Sequence, residues 1–168
     1  MNSSITVYGK TFVRSALAYK SLVKPGMAPG IGLTSPSQCG NLMVRKAALS
    51  VSSMIDEDVR AVLGISDVAD YGSCFCRSLL LCASLRSCGF GEDEVYVVVG
   101  CHRGESFLEA THASVLVTTD EVSCIANPSS VATENQVRYG DDKVRSFFQH
   151  TTIACLFNDV VGWFCMEV

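Results

Sequence analysis

The chain has 168 residues, enough for one domain with a sizeable core. Hydrophobic residues make up 48% of it and charged residues 18%, which excludes a disordered chain. The formal net charge is -4 and no basic run occurs, which argues against a nucleic-acid-binding surface.

The N-terminal stretch MNSSITVYGKTFVRSALAYK is interrupted by Lys10, Arg14 and Lys20. It lacks an unbroken apolar h-region, so no signal peptide is expected. No segment reaches the ~18 uninterrupted apolar residues that would suggest a membrane span. Ile5–Tyr8 reads as a short strand or an arm. Thr11–Lys24 has Phe12, Ala16, Tyr19 and Val23 at helical spacing, and Pro25-Gly26 ends that helix. Pro25–Gly40, rich in proline and glycine, reads as a long loop, either functional or simply flexible. Asn41 then caps a helix with Leu42, Val44, Ala48 and Val51 inward. Asp56–Leu63 predicts a further short helix that stops at Gly64.

The most informative stretch is Tyr71–Phe90, YGSCFCRSLLLCASLRSCGF. It predicts one buried helix with Ser73 as N-cap and Gly89 as the residue that stops it. Phe75, Leu79, Leu80, Leu81, Cys82, Ala83, Leu85 and Cys88 leave almost no polar face, and such a helix belongs inside a domain. Cys74 falls at its first turn. There the orphan N–H groups and the positive end of the helix dipole favour thiolate, the form a nucleophile needs. Arg77 and Arg86 flank the helix and read as structural, meeting carboxylates or carbonyls.

After Gly89 the period changes. Glu94–Gly100 (EVYVVVG) predicts a central strand. Cys101–Ala110 reads as a polar loop that leaves His102 exposed. His112–Val117 and Val122–Asn127 predict a hairpin. Val131–Asp142 reads as loop, and the rest as apolar segments ending in a last strand after the turn Asn158-Asp159. The whole predicts an α+β fold in a single domain over residues 1–168. Residues 1–66 are mainly helical, 67–130 form the core that carries the chemistry, and 131–168 supply C-terminal strands.

With a four-residue hairpin loop, Val117 faces Val122 and His112 faces Asn127. Directly opposed residues share a face, so Asn127 can accept the imidazole N–H and fix the ring. Cys74, His112 and Asn127 then supply a nucleophile, a base and an orienter. The register decides this, since a one-residue slip turns Asn127 to the other face. Acyl transfer also needs oxyanion donors. The backbone N–H of Cys74 is the first candidate, with Tyr71 and Gln38 as side-chain candidates for the second. The nine cysteines lie mostly in apolar runs such as LLLCAS and TIACLF, the pattern of buried, reduced thiols. A cytoplasmic location fits that usage. No second Cys/His pair has zinc-ligand spacing beside Cys74 and Cys76, so neither metal nor cofactor is expected.

GSCFCRSLLLCASLRSCGF resembles the cysteine helix of the transglutaminase-like superfamily, and VYVVVG resembles the strand that follows it. HASVLV resembles that family's His-Ala-Trp strand, and ANPSS its Asp-Pro segment. Counting back from Arg86, the resemblance assigns the nucleophile to Cys74 rather than Cys76, the base to His112 and the orienter to Asn127. It implies a papain-related fold with the cysteine helix packed on an antiparallel sheet. The run CFCRSL within it is similar to the leader peptidases of lasso-peptide biosynthesis, which implies a peptide or protein substrate and a separate recognition protein. The family's Trp is Ser114 here and its Asp is Asn127. The resemblance implies a peptidase, with a transamidase or amide-forming acyltransferase and a catalytically silent peptide-binding domain as alternatives.

Overall fold

The computed structural model describes residues 4–14, 36–64, 73–104, 112–129, 136–158 and 162–166. The chain begins with strands β1 (Ser4–Val7) and β2 (Lys10–Arg14). Three helices follow: α1 (Pro36–Ser52), α2 (Asp56–Leu63) and α3 (Ser73–Ser87). Strands β3 (Val95–His102), β4 (His112–Thr118), β5 (Ser123–Ala126) and β6 (Val137–Tyr139) come next. Helix α4 (Asp141–His150) leads into β7 (Thr151–Asn158) and β8 (Gly162–Met166). All eight strands form one sheet in the order β1-β2-β8-β7-β3-β4-β5-β6, and every pair is antiparallel. The fold is therefore helices on an antiparallel sheet, an α+β layout.

Period-two alternation splits the sheet between two cores. Val95, Val97, Ala113, Val115, Val117, Cys124 and Ala126 face the layer built from α1, α2 and α3. Tyr96, Val98, Leu116 and Ile125 face Val144 and Phe148 of α4 and Phe12 of β2. β3 is thus buried on both faces, which is why its sequence reads as an unbroken valine run.

Helix α3 is buried from Cys76 to Leu85 without a break. Leu79, Leu80, Leu81 and Leu85 lie inside it, each contributing roughly 1.5–3 kcal/mol of burial. It packs on α1, α2, β3 and β4. Gly89 ends it with φ +111°, and the Phe90 N–H turns back to the Leu85 carbonyl at 3.3 Å.

The N-terminal elements depart from the sequence reading. Lys10–Arg14 is a strand, not the start of a helix, because Tyr8-Gly9 turns the chain and β2 pairs with β8 as well as β1. Phe12 is fully buried while Val13 is exposed, the alternation of a strand. Residues 15–24 lie outside the described residues, as does most of the expected loop. The end of that loop is helix instead. α1 starts at Pro36, whose fixed φ suits a first helical position, and Asn41 lies within the helix rather than capping it. Its inward stripe is Met43, Val44, Ala47, Ala48 and Val51, and Leu42 points to solvent. Segment 1–66 therefore opens in the sheet. Segment 131–168 likewise contains α4, with Asp141 and Asp142 at the favourable end of its dipole and Val144 and Phe148 buried one turn apart.

Candidate functional site

Cys74 is the second residue of α3 and is half-buried. Three groups converge on its sulfur. The His112 side chain, at hydrogen-bonding range, has the largest influence. The backbone N–H of Ala113 and that of Phe75 donate to it as well. These donors outweigh the upward push of burial and hold the Cys74 thiol below its ordinary pKa. Cys76, Cys88, Cys124 and Cys155 go the other way. Burial pushes Cys76 up to about 11, and Cys124 and Cys155 up to about 12. Of these five cysteines, Cys74 is the one whose pKa is pushed down.

His112 reaches this point from the first position of β4. Ladder parity groups it with Ser114 and Leu116, whereas α3 packs on the face of Ala113 and Val115. As the terminal residue of the strand, its side chain meets the sulfur at the end of the sheet. Its ladder partner is Gly100, and the β3–β7 pairing bulges between Val99 and Gly100. A side chain at Gly100 has no room, since a Cβ there would lie 2.6 Å from the Thr152 carbonyl oxygen. Such bulges re-aim neighbouring side chains. The thiol contact dominates the imidazole and raises the His112 pKa against burial, and Asn127 adds a smaller upward push.

Asn127 arrives by a register different from the expected one. Val117 faces Cys124 and Val115 faces Ala126, a shift of two residues. The turn tightens because Thr119 Oγ1 accepts from the N–H groups of Glu121 and Val122, and the Thr119 N–H reaches the Val122 carbonyl at 2.7 Å. A shift of two preserves the face, so Asn127 is a diagonal neighbour of His112 rather than its direct partner. The Asn127 N–H donates to the Gln136 carbonyl at 2.7 Å, which extends the β5–β6 ladder and fixes the backbone. Its side-chain oxygen is occupied elsewhere. Oδ1 accepts from the Ser129 hydroxyl at 2.7 Å and from the Ser129 N–H at 3.3 Å. His112 Nε2 is buried and makes no hydrogen bond. The Asn127 side chain nonetheless acts on the ring, as the last of the upward influences on His112.

The first turn of α3 is locked from below by Arg77, which is buried. Its Nη1 donates to the Val51 carbonyl at 2.7 Å, its Nη2 to Asp56 Oδ1 at 2.8 Å and its Nε to Ser73 Oγ at 3.2 Å. Ser73 Oγ donates in turn to Asp56 at 3.0 Å, so this hydroxyl ties α3 to α2 instead of capping α3. One guanidinium thus gathers the end of α1, the start of α2 and the turn that carries Cys74. The meeting of Arg77 with a carboxylate and a carbonyl follows the expectation from sequence.

The remaining candidates are not all among the described residues. Gln38 lies in α1. The side chain of Gln38 lies outside the described residues. Tyr71 and Asp159 lie outside the described residues. His102 is exposed, and His150 Nδ1 pairs with the Ser146 carbonyl at 2.8 Å on the surface of α4. Ser129, the Ala113 N–H and Gly100 are the participants that sequence reading missed. Only the Gly in VVVG carried any signal, as the glycine at the end of a valine strand.

Among the described residues, no group of three or more His, Cys, Asp or Glu is arranged to hold a metal ion. No helix among them is long and apolar enough to cross a membrane. No family model, no curated protein and no solved structure matches the chain.

Proposed function

We propose that this protein carries out cysteine-dependent acyl transfer through a thioester on Cys74, most directly the hydrolysis of a peptide or isopeptide bond. The observation that carries this reading is a thiol at the first turn of a buried helix, with its pKa depressed chiefly by the imidazole of His112. The Cys74 sulfur attacks the carbonyl carbon as His112 takes the thiol proton. The tetrahedral oxyanion collapses, the C–N bond breaks, and His112 gives the proton to the leaving amine. Water then attacks the thioester with His112 as base, releasing the acid and restoring the thiol. The backbone N–H of Cys74 is the oxyanion donor in this scheme.

The cysteine-helix motif and its order before an antiparallel sheet support a transglutaminase-like, papain-related assignment. By the same resemblance the substrate is a peptide or protein, with a separate recognition protein as partner and the cytoplasm as the place of action. The chemistry does not distinguish water from an amine as the acceptor. A thiol-reactive acyl electrophile tests the first half of the reading, since Cys74 should carry the adduct in preference to the other cysteines. Incubation of candidate peptides with and without a primary amine tests the second half. A hydrolytic mass gain of one water identifies a peptidase, and incorporation of the amine identifies a transamidase. An absence of preferential labelling at Cys74 rejects both.

A further inference from the structure

Two cysteines outside the site described above face each other. Cys155 of β7 and Cys165 of β8 are ladder partners. Among the described residues no other two cysteines pair this way, since Cys101 faces Thr152, and Cys124 faces Val117 and Tyr139. Ladder partners have Cα atoms about 4.5 or 5.5 Å apart, and either spacing falls inside the roughly 4.4–6.8 Å that a disulfide spans. Directly opposed residues also share a face. Both thiols are free and half-buried, so a small reagent can reach them. Cys165 is also the charged neighbour that acts on Cys155, second to burial, which puts the two sulfurs at close range. The same row continues to Val99 on β3 and to Val13 on β2, and Val13 is exposed.

We propose that Cys155 and Cys165 form a redox-active dithiol that takes a small disulfide, such as glutathione disulfide, and closes into a cross-strand bridge. Cys165 opens the exchange, because burial first and Cys165 second push the Cys155 thiol up to about 12. The Cys165 thiolate attacks one sulfur of the small disulfide, whose S–S bond breaks and releases one glutathione thiolate. With Cys165 in the mixed disulfide its charge is gone, which removes one of the two influences that hold the Cys155 proton. Cys155 then gives that proton to solvent and attacks the Cys165 sulfur, and the second glutathione thiolate leaves. The two protein thiols lose two electrons and two protons, and the small disulfide takes them up to become two thiols. The bridge ties β8, which also pairs with β2, to β7, whose other edge carries the bulge beside Gly100. It therefore pins β1, β2 and β8 to the rest of the sheet, and excess thiol reverses it.

The test treats the full, reduced chain with glutathione disulfide in native buffer and blocks the remaining thiols with N-ethylmaleimide. Mass spectrometry then maps each cysteine after chymotryptic cleavage, which separates Cys155 from Cys165 at Phe157 and Trp163. The expected product links Cys155 to Cys165, is lighter by two hydrogens than the separate peptides, and returns to two thiols in dithiothreitol. Cys155→Ser should leave Cys165 carrying one glutathione, because no thiol is there to displace it. Labelling of both cysteines by N-ethylmaleimide as in the untreated chain overturns the proposal, as does a link from either one to a different cysteine. So does an unsubstituted chain in which Cys165 stops at the glutathione adduct, or a folded Cys155→Ser chain whose Cys165 takes up none. The mapping of the unsubstituted chain needs no variant, so a Cys155→Ser chain that fails to fold leaves it decisive. Cys74 enters neither step, so a catalytically silent Cys74 and a wrong role for this pair give separate results.

Discussion

Gly100 is the ladder partner of His112, and its lack of a side chain is what lets β3 bulge against β7 beside the base. A methyl group at this position would collide with the Thr152 carbonyl oxygen and press on the Thr151 methyl. Backbone oxygen cannot step aside as a side chain can. Gly100→Ala should therefore destabilise the protein by about 1–3 kcal/mol, as overpacking does. It should also slow alkylation of Cys74, because the shift falls on the strand that pairs with the one carrying His112. Denaturant unfolding and the Cys74 modification rate, measured on the same variant, check both effects. Unaltered values of both would show that the bulge has no part in placing the ring.

The pH dependence of Cys74 modification follows from its surroundings. The thiol is held below its ordinary value, first by His112 and then, against burial, by the N–H groups of Ala113 and Phe75. Its alkylation rate should rise with pH at a midpoint below that of an ordinary thiol. His112→Ala removes the largest of these influences and should move the midpoint upward. Cys76, pushed up to about 11, should stay unlabelled near neutral pH. Mass-spectrometric mapping of an iodoacetamide time course across pH 5–9 (roughly the span over which imidazole and thiol titrate) checks this. Labelling of Cys76 or Cys124 ahead of Cys74 would contradict it.

How much of this was legible in the sequence depends on the range of the interaction that decides each element. Helix α3 was legible because ten successive buried residues leave a composition that only a central helix explains. The face shared by His112 and Asn127 was legible because parity survives a two-residue shift. The register itself was not, since it hangs on the Thr119 hydroxyl closing a turn that composition describes only as polar. β2 was misread because Phe12, Ala16 and Tyr19 happen to fall at helical spacing, while its strand character comes from pairing with β8 at the other end of the chain. The turn that precedes it is Tyr8-Gly9, with Tyr8 at φ +48°, and lacks the Asn-Gly or Asp-Gly signal that would reveal a hairpin. The bonding of Asn127 Oδ1 by Ser129 is a matter of side-chain direction, which no spacing encodes.

Arg77 should matter to stability more than its acidic partner does. Its guanidinium is nearly buried and serves three acceptors, while the Asp56 carboxylate is more than half exposed. Arg77→Met should cost about 1–3 kcal/mol by leaving the Val51 carbonyl unpaired and loosening the turn under Cys74. Asp56→Asn should cost under about 1 kcal/mol, as exposed ion pairs do. The Asp56 carboxyl is held below 3.8 by Arg77 first and Ser73 second. A depressed carboxylate contributes stability that is present above its unfolded value and lost as pH falls through its folded value. Arg77→Met should therefore flatten the acid limb of the stability curve below pH 3.8. Urea unfolding of the three proteins from pH 2 to pH 7 (about the window in which carboxylates titrate) measures the costs and the slope. Equal costs for the two substitutions would place the Arg77 contribution in the ion pair alone.

Lys10 links the N-terminal hairpin to the opposite end of the chain. Its ammonium donates to the Phe148 carbonyl at 2.7 Å and to the Thr151 carbonyl at 3.1 Å, where α4 ends and β7 begins. The last carbonyls of a helix have no partner within it, and a cation there also meets the negative end of the dipole. Burial lowers the Lys10 pKa, with the charge of Arg103 second, so the amine is partly desolvated and its two bonds replace water. Lys10→Met keeps an apolar stem and removes the ammonium, with its two donated bonds and its place 6.0 Å from the Phe148 ring centroid. It should destabilise the protein by about 1 kcal/mol and speed amide exchange in β1, β2 and the last turn of α4. Exchange in α3, which packs on the other face of the sheet, should stay at the wild-type rate. Acceleration that reaches α3 as strongly as β1 would mean that Lys10 supports the whole fold rather than the joint between the hairpin and α4.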